Sequence, residues 1–221
     1  MRRFLRENGL AVTLFAIFLA TLMGLVFTGW QTYNEDQLNH GEEAVDLATY
    51  LTTSNFGEAV FENWESEFLQ MGSYVLLTVF LFQKGSAESK KLDRTEAVDE
   101  DPRTAKRRKN VPWLVRRGGL VLTLYEHSLT IALFAVFFLS FALHAVTGAG
   151  DYSAEQLVHG GQPVTAVGYL FTAQFWFESM QNWQSEFLAV LALVVFSIFL
   201  RERGSPESKP VAAAHHETGS E

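Results

Sequence analysis

The side chains in this sequence best placed to do chemistry sit in two copies of one short pattern. Asn63-Trp64-Glu65-Ser66-Glu67-Phe68-Leu69 returns as Asn182-Trp183-Gln184-Ser185-Glu186-Phe187-Leu188. At the period of a helix, Asn63, Ser66, Glu67, Gln70 and Tyr74 fall on one face. The second copy keeps Asn182, Ser185 and Glu186, then turns apolar at Ala189 and Leu193. A carboxylate with two polar neighbours at a membrane edge faces protein or water, not lipid. If Glu67 and Glu186 approach each other they share a proton, and such a pair binds a cation or relays protons. The plainer chemistry is hydrogen bonding, with Asn and Ser joining membrane helices and each Glu fixing its own hairpin.

A second candidate pair is His40 and His159. Each falls in the last turn of an expected short helix, where the dipole favours a cation. Together they would hold a metal or a proton, but no ligand spacing nearby supports that. Glu42, Glu43, Asp46, Glu58, Glu62 and Glu65 have mostly neutral counterparts in the second copy and read as a solvated acidic face. His215-His216, in the tail, is poor metal evidence. There is no Walker-type or Rossmann glycine motif, no nucleophile elbow and no H-E-x-x-H. The chain is therefore expected not to be an enzyme and to need no cofactor or metal. It has no cysteine, so thiolate chemistry is excluded. A net charge of −8 argues against nucleic acid as a partner.

These residues are positioned by four apolar blocks. Leu10–Thr28 and Ser128–Val146 are each long enough, as helices, to cross a hydrocarbon core. Phe68–Phe82 and Phe187–Leu200 are shorter, and fifteen helical residues cover only about 22 Å. Their helices must start earlier, which draws in the Asn-Trp-x-Ser-Glu segments. The expected fold is an all-α membrane protein with four transmembrane helices, spanning about 10–29, 62–83, 127–147 and 181–201. Lys and Arg set the orientation. Arg2, Arg3 and Arg6 precede the first span, the stretch from Lys84 to Arg117 divides the second from the third, and Arg201, Arg203 and Lys209 follow the fourth. Neither Trp30–Glu62 nor Ala149–Gln181 contains one. The positive-inside rule puts both termini and the central linker in the cytoplasm.

Shifting the chain by 119 positions aligns Glu7–Lys90 on Glu126–Lys209 without a gap, and roughly a third of the positions match. The architecture is thus two tandem helical hairpins of the same orientation, 1–85 and 119–204. A charged cytoplasmic linker, 86–118, joins them, and a disordered cytoplasmic tail, 205–221, follows. Same-sense copies are related by an axis along the membrane normal and form a four-helix bundle. In the outer loops Asn34 and Ser153 are expected N-caps, with Gln37 and Gln156 three residues later and Gly41 and Gly160 as C′ residues. A second short interfacial helix is expected over Ala44–Thr52, and from Pro163 in the other copy. Trp30, Tyr33, Tyr50, Trp64, Tyr152, Tyr169, Trp176 and Trp183 fall near the outer boundary, as in an aromatic belt.

The bilayer itself is the expected partner. Lys106, Arg107, Arg108 and Lys109, just before an aromatic stretch, suit anionic lipids, or they only set topology. A second copy of the chain or another membrane protein stays open as a partner. Phe61–Gly72, followed by Gly85-Ser86-Ala87-Glu88-Ser89-Lys90, together with Arg3–Leu10, resembles a bacterial membrane-protein family known only as a domain of unknown function. The resemblance implies a bacterial source and a multi-pass inner-membrane location, and it carries no activity or ligand. Two functional readings follow. One is a non-enzymatic protein with a structural, stress-related or partner-binding role. The other is a small cation or proton carrier or channel using Glu67 and Glu186.

Overall fold

The computed structural model describes residues 2–104 and 110–219. Lys106, Arg107, Arg108 and Lys109 lie outside them. Regular structure among the described residues is helical: α1 (Arg2–Asn39), α2 (Leu47–Tyr50), α3 (Ser54–Phe80), α4 (Trp113–Arg117), α5 (Gly119–Glu126), α6 (Ser128–Val158), α7 (Ala166–Tyr169) and α8 (Ala173–Phe199). A 3-10 turn covers Ala97–Asp99. Among the described residues three helices, α1, α6 and α8, are long and apolar enough to cross a membrane. Their large apolar side chains stay uncovered; Leu10, Phe15, Phe138 and Leu188 are each exposed over more than half their surface. In water so much bare apolar area is unfavourable by about 25 cal/mol per Å². In hydrocarbon that term vanishes. The helix α3 is as long as α8 but carries Glu58, Glu62, Glu65 and Glu67, and it does not pass on composition.

The chain divides into two compact units, Met1–Phe61 with Leu143–Thr172, and Glu62–Ala142 with Ala173–Glu221. In the first unit the same local structure occurs twice, 119 positions apart. Tyr50 and Tyr169 are almost completely buried. The Tyr50 ring lies 5.5 Å from those of Tyr33 and Phe56, and it sits against Gly29. Tyr169 lies 5.5 Å from Tyr152 and 6.4 Å from the His144 ring, and it sits against Gly148. Asp46 and Thr165 cap α2 and α7, accepting from the backbone N–H of Thr49 and Gly168. That bond holds the Asp46 carboxyl below the usual carboxylate range.

Two expectations for these loops are corrected. Asn34 and Ser153 are not N-caps, because α1 and α6 run on to Asn39 and Val158. Instead each reaches across to the returning loop. The Asn34 side chain accepts from Val45 N at 2.8 Å and donates to Val45 O at 3.0 Å. Ser153 Oγ accepts from Val164 N at 2.9 Å. A loop folded back on a helix has backbone groups to satisfy, and these side chains satisfy them. The short helices also start later than expected, at Leu47 and Ala166 rather than at Ala44 and Pro163. Gly41 and Gly160 do end the preceding helices. Both have a left-handed φ, and the next residue's N–H closes back on Gln37 and Gln156 in a Schellman motif.

In the second unit the two G-S-x-E-S-K segments adopt one design. Ser89 Oγ accepts from Gln83 N and Ser86 Oγ from Glu88 N; Ser208 and Ser205 do the same for Glu202 and Glu207. The lysines then differ. Lys90 Nζ donates to Val79 O at 3.2 Å and pairs with Asp99 at 2.7 Å. Lys209 Nζ donates to three carbonyls of the tail, Ala214, His215 and Glu217, at 2.8–3.1 Å. Burial, and next the charge of Arg201, lower the Lys209 pKa. The composition of the tail gives no reason to expect turns there. The reason is local: a buried ammonium needs acceptors, and the tail's carbonyls supply them. Thr218 Oγ1 then accepts from Gly85 N at 2.6 Å, and Gly219 N donates to Ser86 O at 3.0 Å.

Candidate functional site

The second unit holds a polar cluster between α3 and α8. Glu65 is fully buried. Its Oε1 accepts from the Trp183 indole Nε1–H at 3.0 Å and from Ser179 Oγ at 3.2 Å. One turn earlier, Glu62 Oε1 accepts from the Asn182 side-chain amide. Below them the Gln70 amide donates to the Glu186 carbonyl at 3.4 Å. At Glu62 and Glu65, α3 presents carboxylates and α8 presents donors. The aromatic rings of α6 lie next to this cluster, with Phe137 6.5 Å from Trp183 and Phe141 edge-on to Phe175 at 5.3 Å.

The acidic residues at Glu62 and Glu65 were expected on a solvated face, and Glu65 is the opposite. Its spacing held the signal. Glu58, Glu62 and Glu65 stand at i, i+4 and i+7, one helical stripe that runs on into Ser66 and Gln70. Ser66 and Gln70 are buried, while Asn63 and Glu67 are exposed. Ser66 and Ser185 each donate to the carbonyl three residues back, Asn63 and Asn182. Ser185 is exposed and Glu186 half-buried. The Glu67 and Glu186 carboxylates are near enough for their charges to interact.

In the first unit, His144 is fully buried in α6. A Glu58 carboxylate oxygen and a ring nitrogen of His144 lie within 4.8 Å. The Tyr169 hydroxyl donates to Glu58 at 3.2 Å. In the sequence His144 is the sole ionisable residue of the apolar block Ser128–Val146. His40 and His159 directly follow α1 and α6. Each is exposed and its Nδ1–H donates to a carbonyl four residues back, Asp36 and Glu155, at 2.9 Å. That is helix-end bonding, the same in both copies.

The family described as Domain of unknown function (DUF6766) matches residues 1–220. The chain belongs to that family. No curated protein and no solved structure matches it. Family membership supplies no chemistry, so the site has to be read from its own geometry. A carboxylate held by an indole N–H and a hydroxyl is fixed in place.

Proposed function

We propose that this chain is a four-span protein of a bacterial inner membrane with a non-enzymatic structural, stress-related or partner-binding role. It is threaded as two tandem hairpins in the same sense, with both termini cytoplasmic. The observation that carries this is the set of donors around Glu65. Two of the carboxylates that bar α3 on composition, Glu62 and Glu65, do not have to meet lipid, because Trp183, Ser179 and Asn182 receive them. That supports α3 as the remaining span beside α1, α6 and α8. The 119-residue recurrence of Gly29 and Tyr50 at Gly148 and Tyr169 supports the duplication.

Because the chain has no cysteine, single cysteines report sidedness cleanly. An impermeant thiol reagent on intact cells is expected to label Asp36→Cys and Glu155→Cys and to miss Val98→Cys, which is well exposed in the linker. Labelling of Val98→Cys alone reverses the topology.

A second reading has one observation behind it: the Gln70–Glu186 hydrogen bond brings the turn of α3 that carries Glu67 to the level of Glu186. On that reading the pair carries a cation or protons. Liposomes containing the purified protein are expected to dissipate imposed proton, Na⁺ and K⁺ gradients no faster than empty liposomes. Flux that both Glu67→Gln and Glu186→Gln abolish replaces the structural reading with the carrier.

A further inference from the structure

The first G-S-x-E-S-K loop and the tail enclose a cavity of about 760 Å³. Its ionisable lining is Lys84, Lys91, Arg94, His216, Asp93 and Glu217. Cations outnumber carboxylates by three to two before His216 is counted. Glu217 is further spent on the tail's own turn, where Oε2 accepts from Ala214 N at 2.8 Å. Among the described residues Lys84, Lys91 and Arg94 take part in no ion pair. Three cations without an ion pair converge on one concave surface.

We infer that this cavity binds the phosphate group of an anionic phospholipid or of a free phosphate compound. Its position favours the lipid. Phe80, Leu81 and Phe82, all well exposed, run directly into Lys84, and Leu92 on the cavity wall is 60% exposed. Bare apolar residues ending at a ring of cations match the order of an acyl chain and its headgroup. A long basic side chain at such a boundary lays its stem on the apolar part and its charge on the phosphate. The lipid source rests on the membrane reading above; the phosphate chemistry does not.

The test uses the full chain in neutral detergent, where binding does not depend on topology. Thermal unfolding is followed with added phosphatidylglycerol, with phosphatidylcholine, and with glycerol 3-phosphate. Phosphatidylglycerol is expected to raise the midpoint where phosphatidylcholine does not. Lys84→Gln/Lys91→Gln/Arg94→Gln is expected to weaken that binding by about tenfold or more, since each basic group near an anionic headgroup contributes appreciably. Lys106→Gln/Arg107→Gln/Arg108→Gln/Lys109→Gln is expected to keep it. A comparable response to glycerol 3-phosphate assigns the site to a soluble phosphate. All three substituted side chains are exposed or half-buried, so the unliganded midpoint should hold; if it falls, Arg94→Gln alone gives the same reading. No response to either phosphate compound overturns the inference, as does a response lost only in the 106–109 variant.

Discussion

Glu65→Ala is expected to destabilise the protein by about 3 kcal/mol or more, because it strands the Trp183 indole N–H and the Ser179 hydroxyl in a buried site. Each abandoned donor costs about 1–3 kcal/mol, and the lost side chain adds a cavity. Glu65→Gln keeps a carbonyl acceptor and should cost less, about 1 kcal/mol. Combining Glu65→Gln with Trp183→Phe should cost less than the two separately, by about 1 kcal/mol, since the second change removes a donor the first has already weakened. Glu67→Ala is the contrast. That side chain is exposed, and its removal should fall within about 0.5 kcal/mol. Reversible unfolding in mixed detergent micelles, followed by tryptophan fluorescence, separates these outcomes. Equal effects at Glu65 and Glu67 would sink the assignment of Glu65 as the fastening carboxylate.

That contrast also marks the limit of what the sequence could say. The identical Ser-Glu of both copies drew the eye to Glu67 and Glu186, because identity between copies is visible in a string. The buried carboxylate is the one the copies do not share. Glu62 and Glu65 correspond to Gln181 and Gln184, and Ser179 corresponds to Val60. At these positions α3 carries the acid and α8 the neutral donors, so the bonds to Glu62 and Glu65 come from α8. No local pattern encodes this, since the partners are 114–120 residues apart.

The long apolar helices were legible for the opposite reason. A lipid-facing side chain needs no particular partner, only hydrophobicity over enough residues, and α1, α6 and α8 carry that in composition alone. Their ends were not. Asn34 and Ser153 have the right type for an N-cap, but whether a helix stops there depends on the loop that returns eleven residues later. The positive φ of Gly41 and Gly160 was legible because few other residues accept it. The bonds of Lys209 were not legible. A lysine after Gly-Ser-x-Glu-Ser looks alike in both copies, and only the chain beyond it decides whether carbonyls or a carboxylate take the charge.

Gly29→Ala and Gly148→Ala should both destabilise the protein, yet only the first should be rescued by removing a hydroxyl. A Cβ at Gly29 would collide with the Tyr50 hydroxyl oxygen, while the next ring atom, Cζ, is 3.2 Å away. Tyr50→Phe removes the colliding atom, and the remaining contact needs only a few tenths of an ångström. A Cβ at Gly148 would instead lie 2.5 Å from Cε1 of Tyr169 and 2.9 Å from Glu58 Oε1. Phenylalanine at 169 keeps Cε1 and forfeits the hydrogen bond to Glu58. Overpacking of this kind costs about 1–3 kcal/mol, with Gly148→Ala at the upper end because two groups must move. Tyr169→Phe should add about 1 kcal/mol to it rather than relieve it. Unfolding midpoints of the four single and two double variants measure this directly. Equal rescue at both positions would mean that the two tyrosines sit alike over their glycines. The two segments 119 positions apart would then share one packing solution where the geometry has two, one closed by a hydroxyl and one by a ring edge with a carboxylate behind it.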